Sequence, residues 1–159
     1  GGIMSTRSMI GKVEAGGRIK AVYCHWGGAP NAANNGGLLA TYWNDPAQLD
    51  QLIAMGSLSS LGQEIGEYHA WDNYDHPEWC SFHQRDWRRG PKGYEAVEFL
   101  GPLDYVRGAR DVTCAFCYLW TADRGWLFAA VPGVWPPLLG EIEAVEWQSL
   151  AGYLAMGDR

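Results

Sequence analysis

The side chains best able to do chemistry fall in three places, the first being Tyr23-Cys24-His25-Trp26, which runs straight into Gly27-Gly28-Ala29-Pro30. A thiolate forms at neutral pH only beside a base or a positive charge, so Cys24 with an imidazole would make a nucleophile pair. Neighbouring strand residues point to opposite faces, so His25 cannot easily serve Cys24 and a distal imidazole, His69, His76 or His83, would have to. A buried structural thiol is the competing explanation. It predicts Cys24 and His25 on opposite faces of a central strand, one of them buried.

The second place is Cys80-x-x-His83 with Cys114-x-x-Cys117, which has the ligand types and close spacing of a zinc site. Both pairs fall in strand-like stretches, where i and i+3 diverge unless a glycine knuckle intervenes, and none is present. His69, Asp72, Asp75 and His76 form another set able to hold a divalent cation, or else a solvated loop. No metal or other cofactor is assigned. Ser5 would be a self-activating nucleophile if it became the N-terminus, but Gly1-Gly2-Ile3-Met4 precedes it.

The third place is Arg85, Trp87, Arg88 and Arg89, with Lys92 close behind and Trp79 ahead. Guanidinium groups pair bidentately with phosphate and indole faces stack on bases, the chemistry for a nucleotide or a short acidic ligand. Tyr23, His25 and Trp26 join this ligand-binding set, because the glycine turn after them suits a close backbone approach. A solvated loop whose tryptophans cap the core is the alternative. The chain has no P-loop, dinucleotide fingerprint or nucleophile elbow, so those enzyme classes are set aside.

The elements that must carry these groups follow from the pattern. Residues 5–13 and 18–26 alternate around Gly16-Gly17, a first hairpin. A helix over 37–43 stops at Asn44-Asp45-Pro46, where Asp45 caps a second helix that Gly56 closes. Residues 67–78 read as an exposed excursion that Pro77 keeps irregular, 79–85 as a strand and 93–100 as a short helix. Residues 112–121 and 126–131 make a second hairpin, and 138–156 a final amphipathic helix with Leu138, Leu139, Ile142, Val145, Leu150 and Leu154 inward. The expectation is a single α+β domain over residues 4–159: an antiparallel sheet of two hairpins and a middle strand, with helices on one face. Gly1-Gly2-Ile3 reads as an expression remnant or an upstream start.

At 159 residues, 47% hydrophobic with nine tryptophans, the chain can bury one sizeable core. A net charge of -6 excludes general affinity for duplex nucleic acid or anionic membranes. No Lys or Arg occurs between Ala21 and Gln84, against seven acids: Asp45, Asp50, Glu64, Glu67, Asp72, Asp75 and Glu78. Four cysteines do not make a disulfide scaffold at this size, so reduced thiols and a cytosolic setting are expected. No signal peptide or membrane span is visible.

Met4-Ser5-Thr6-Arg7-Ser8, Val22-Tyr23-Cys24-His25-Trp26, Leu58-Ser59-Ser60-Leu61-Gly62 and Gly125-Trp126 together resemble a family of small, functionally unassigned bacteriophage and prophage proteins with an MSTRS start and a YCHWDGYP-like segment. The likeness covers residues 4–66 well and 79–131 loosely. It departs at Gly27 and Ala29, where the family shows Asp and Tyr, and at Arg85-Asp86-Trp87-Arg88-Arg89-Gly90, where the family has an Arg-Asp-Arg-Gly run. The resemblance implies phage biology rather than a particular chemistry. The expected function is a non-enzymatic accessory protein of the bacterial host cytosol that counters a host process such as antiviral defence. It would sequester a nucleotide-like signal through the arginine set or dock on a host protein, with homo-oligomerisation left open. A small hydrolase or transferase using Cys24 and His83 is the alternative, and an acidic nucleic-acid mimic over residues 45–78 a further one.

Overall fold

The computed structural model describes residues 6–134 and 140–157. Met4, Ser5, Leu138 and Leu139 lie outside the described residues. The chain folds as one α+β unit whose eight strands join a single sheet: β1 (Ser8–Val13), β2 (Ile19–Cys24), β3 (Leu58–Ser60), β4 (Ser81–Phe82), β5 (Val97–Phe99), β6 (Phe116–Thr121), β7 (Gly125–Ala130) and β8 (Gln148–Ser149). Their order is β4-β3-β2-β1-β6-β7-β8, with β5 also paired to β2.

Both expected hairpins form. β1 pairs antiparallel with β2 through a turn in which Gly16 and Gly17 take positive φ, and β6 pairs antiparallel with β7. The sheet is mixed, however, not purely antiparallel. Helices α1 (Asn35–Tyr42) and α2 (Pro46–Ala54) carry the chain from β2 to β3, which therefore runs parallel to it. Helix α3 (Pro102–Asp111) likewise lies between β5 and β6, and β6 runs parallel to β1.

Those crossovers also overturn the expectation of helices on one face. α1, α2 and the short α4 (Leu150–Ala155) bury Leu39, Trp43, Leu49, Leu52, Ile53 and Leu150 against Ile10, Val22, Cys24, Tyr118 and Phe128. α3 sets Tyr105, Val106 and Ala109 on the opposite face, with Met9, Ile19, Ala21, Cys117 and Leu119. The central strands are thus buried on both sides, and alternate residues enter alternate cores.

Three local expectations change with this. Residues 93–100 form a turn and then β5, because Ile19, Lys20 and Ala21 of β2 offer a strand edge that Val97, Glu98 and Phe99 can pair. Helix α3 follows where no helix was expected. Its Gly108 is a weak helix former, yet a side chain there would collide with the Phe99 ring. The final helix is confined to α4: Ile142 and Val145 serve the α3 face while Leu150, Tyr153 and Leu154 serve the other, and one straight helix cannot reach both. A 3₁₀ turn (Ile142–Ala144) and β8 make the change of side. No helix among the described residues is long and apolar enough to cross a membrane.

The glycine turn after β2 packs closely on the start of β1. Gly28 N–H donates to Thr6 O at 2.8 Å, the Tyr118 hydroxyl donates to Gly28 O at 2.7 Å, and Asn35 N–H donates to Gly27 O at 2.8 Å. A Cβ on Gly28 would stand 2.6 Å from Thr6 O and 3.0 Å from Ser8 Cβ. Gly28→Ala is expected to destabilise the protein by about 1–3 kcal/mol, read as a lowered urea midpoint at unchanged m-value, since overpacking against backbone finds no side chain to yield.

Candidate functional site

Along β2 the odd-numbered residues face α3. Met9 of β1 lies opposite Tyr23 and Ser8 opposite Cys24, so Arg7 and His25 project beside Tyr23 on the same face. β2's outer edge is shared: β5 pairs with it at Ile19–Ala21 and β3 only at Cys24. Between those partners the sheet opens into a cleft of about 610 Å³. Arg7, Tyr23, His25, Ser57 and Thr113 give it a polar side, Met9, Val97, Phe99, Val112 and the Tyr94 ring an apolar one, and Glu95 and Asp111 contribute carboxylates. Its size matches that of pockets for small molecules.

The polar side is internally connected. Tyr23 Oη and His25 Nδ1 share a hydrogen bond of 2.8 Å, and Arg7 Nη1 donates to Thr113 Oγ1 at 2.9 Å. Thr113 is held at φ 59° just after α3, a conformation β-branched residues seldom adopt. No carboxylate among the described residues pairs with Arg7. Burial, and then the nearby Arg7 charge, holds the His25 imidazole below its ordinary 6.5. One residue deeper, Ser57 Oγ and His83 Nδ1 share a 3.0 Å hydrogen bond, with Tyr94 and Trp87 against the His83 ring. Burial, then His25, keeps His83 below 6.5 as well. Serine and neutral imidazole are the parts of a nucleophile and base, but Ser57 N–H is taken by Tyr94 O at 2.8 Å, and Ser57 is buried.

The thiols are placed for packing. Cys24 lies on the face opposite Tyr23 and His25, fully buried, with Asn35 Nδ2 3.4 Å from its sulfur. Burial pushes its pKa up to about 11. His83 is on the far side of the sheet from it: Leu58 and Phe82 pair with each other and share the Cys24 core, whereas Ser57 and His83 project the other way. The Cys24–His83 pair is therefore not assembled.

The zinc set is not assembled either. Cys80 is in the Cys24 core while Cys114 and Cys117 are in the α3 core. His69, Asp72, Asp75 and His76 do not converge: His69 Nδ1 bonds Glu67 O, and His76 pairs with Glu78 and stacks on Trp79 at 3.8 Å. No group of three or more His, Cys, Asp or Glu among the described residues could hold a metal ion.

The arginine set divides. Arg85 is turned inward: its guanidinium bonds both carboxylate oxygens of buried Asp86 at 2.8 and 3.1 Å and the carbonyls of Ile65, Gly66 and Cys80. It is thus a clamp rather than a ligand-binding arginine. Trp87 donates to Ser81 Oγ and stacks on Trp71, and Arg88 sits over the Tyr68 ring. Arg89 and Lys92 are exposed. Trp26 is 39% exposed, edge-on to His25. Of the acids of residues 45–78, three have local duties: Asp45 caps α2, Asp50 meets Lys12 at 2.7 Å and Glu64 accepts from Trp79 Nε1.

Compared with protein-family models, curated proteins and solved structures, the chain matches none. The cleft therefore has to be interpreted from its own geometry. Of its polar residues, Tyr23 and His25 were foreseeable from the sequence; Arg7, Ser57 and Thr113 were not, because nothing in their local pattern marks them. Only the alternation of β1 and β2 would have paired Arg7 with His25.

Two measurements follow. In the folded protein at pH 8 all four cysteines should resist iodoacetamide and become reactive in denaturant, since burial also raises Cys80 and Cys114 to about 12 and Cys117 well above its usual range. Rapid labelling of native Cys24 would contradict the placement. Separately, the depressed pKa values of His25 and His83 mean that below 6.5 the unfolded chain takes up protons before the folded one does. Stability should therefore decrease as pH is lowered from 7.5 to ~5.5, and the His25→Gln/His83→Gln double variant should flatten that profile in thermal melts.

Proposed function

We propose that this protein acts by binding rather than by catalysis, holding a small anionic ligand with a planar ring, nucleotide-like in chemistry, in the cleft between β2, β5 and α3. The observation that carries this is Arg7: a part-buried guanidinium at the cleft, hydrogen-bonded to a threonine hydroxyl and without a carboxylate partner among the described residues. Such a group favours a phosphate or carboxylate as its counterion. Tyr23, His25 and Tyr94 offer ring faces and hydrogen bonds beside it, and Met9, Val97 and Phe99 an apolar wall. The sequestering role expected of Arg85, Arg88 and Arg89 is in this reading transferred to Arg7, because Arg85 is engaged internally.

The biological setting in this reading is the one the phage-protein resemblance implies: an accessory protein in the host cytosol that lowers the free concentration of a nucleotide-like signal of antiviral defence. A ligand that binds only the folded state stabilises it, by about 2.7 kcal/mol at a hundredfold excess over its dissociation constant. For a chain of this size that is roughly 5–10 °C in melting temperature. Thermal melts against nucleoside mono- and diphosphates, cyclic dinucleotides and inorganic phosphate should find such a shift, and Arg7→Gln should remove most of it. Silence across the panel at millimolar ligand, or an undiminished shift in Arg7→Gln, would overturn the proposal.

A further inference from the structure

A second surface, outside the cleft, is built on the excursion between β3 and β4. Within seven residues it presents Tyr68 at 50%, Trp71 at 52% and Tyr74 at 80% exposure. Large rings are seldom left this open in a cluster unless something covers them.

The excursion is also held in shape. Asp86, buried, accepts from Phe82 N at 2.8 Å and His69 N at 3.2 Å, while Arg85 ties Ile65 O and Gly66 O to the same point. Trp71 lies stacked on Trp87, ring centroids 5.0 Å apart at 27°. A buried ion pair that fixes both ends of a loop and a stack that fixes its middle give a preformed surface, which loses little entropy on docking.

What docks there is indicated by charge and by one internal contact. Glu67, Asp72, Asp75 and Glu78 alternate with the rings, and no Lys or Arg lies anywhere between Ala21 and Gln84. A cation reaches the excursion from the following loop: Arg88 places its guanidinium carbon 4.1 Å from the Tyr68 ring centre. It does so at φ 58°, in the left-handed region that non-glycine residues seldom occupy. Tyr68 thus already receives one guanidinium from within the chain, and the exposed Trp71 and Tyr74 are each followed in sequence by an acid, Asp72 and Asp75. Ring faces with adjacent acids are the chemistry that recognises arginine and lysine side chains. The acids at the same time repel nucleic acid.

We propose that the Tyr68–Trp71–Tyr74 face is a docking site for an arginine-containing basic segment of a partner protein. It is separate from the cleft and does not depend on the ligand proposed there. The test titrates the full-length protein with an acetylated arginine-glycine hexapeptide, using tryptophan fluorescence as the readout and the same peptide with citrulline for arginine as control. Saturable binding that weakens as NaCl rises from ~0.05 to ~0.5 M is expected. Citrulline should abolish it, and Trp71→Ala and Tyr74→Ala together should weaken it roughly tenfold. Tyr74→Ala alone, at so exposed a ring, should leave the melting temperature unchanged and still weaken binding. Any of four results overturns the proposal: no saturation at millimolar peptide, equal binding of the citrulline peptide, equal binding by the double variant, or tighter binding of a thymidine oligonucleotide through the same rings. Concentration-dependent dimerisation lost in Trp71→Ala would overturn it too, by assigning the face to a second copy of this chain.

Discussion

Strand β2 is the constraint on which the rest of the molecule depends. It is paired along one edge by β1, along the other by β5 and β3, and covered on both faces. Six residues therefore contribute to two cores: Ile19 and Ala21 to one, Val22 and Cys24 to the other. Because a strand alternates with a period of two, a slip of one residue would exchange these sets and place Tyr23 and Cys24 on each other's faces. The close approach of Gly28 to Thr6 and the Tyr118 hydrogen bond at the strand's exit hold the register from outside it.

The tryptophans explain how a chain with so much aromatic surface stays specific. Trp43 and Trp126 are buried with their N–H groups satisfied in series, Trp43 donating to Gly62 O and Trp126 to Trp43 O, each at 2.9 Å. An indole in a core is stabilising only if its donor finds an acceptor, and here the acceptors are backbone carbonyls that lock one helix to two distant segments. Among the described residues, no buried side-chain nitrogen or oxygen is left without a partner. The three most exposed rings among the described residues, Tyr68, Trp71 and Tyr74, lie on the excursion that the Arg85–Asp86 pair fastens down.

The cleft and the excursion are linked by a chain of side-chain contacts. Trp87 stacks on Trp71 on one side and leans on His83 on the other, and His83 shares a hydrogen bond with Ser57 at the cleft. The two differ in charge: the cleft sets Arg7 beside Glu95 and Asp111, whereas the excursion carries Glu67, Asp72, Asp75 and Glu78 and receives Arg88 on the Tyr68 ring.

What the sequence determined by itself was whatever depends on near neighbours. The glycine turn of the first hairpin, the 6–7 strand pair of the second, the Asp45–Pro46 helix start and the opposite facing of Cys24 and His25 all follow from propensity and from the two-residue period. That Cys24 is the buried one of the two was decided by the fold, which sets it in the core with Val22 and Leu58. Tertiary structure decided everything that required knowing which strand lies beside which. Only the crossovers through α1–α2 and α3 make the sheet mixed and put helices on both faces, and only the two cores break the apolar stripe of residues 142–154 into separate pieces. Arg85 looked like a ligand-binding residue because its charge is visible in the sequence while its buried partner carbonyls are not. Arg7 was overlooked for the converse reason. Its role at the cleft comes from standing across the ladder from His25 and beside Thr113, 106 positions away, and no local pattern records a contact that only the folded sheet creates.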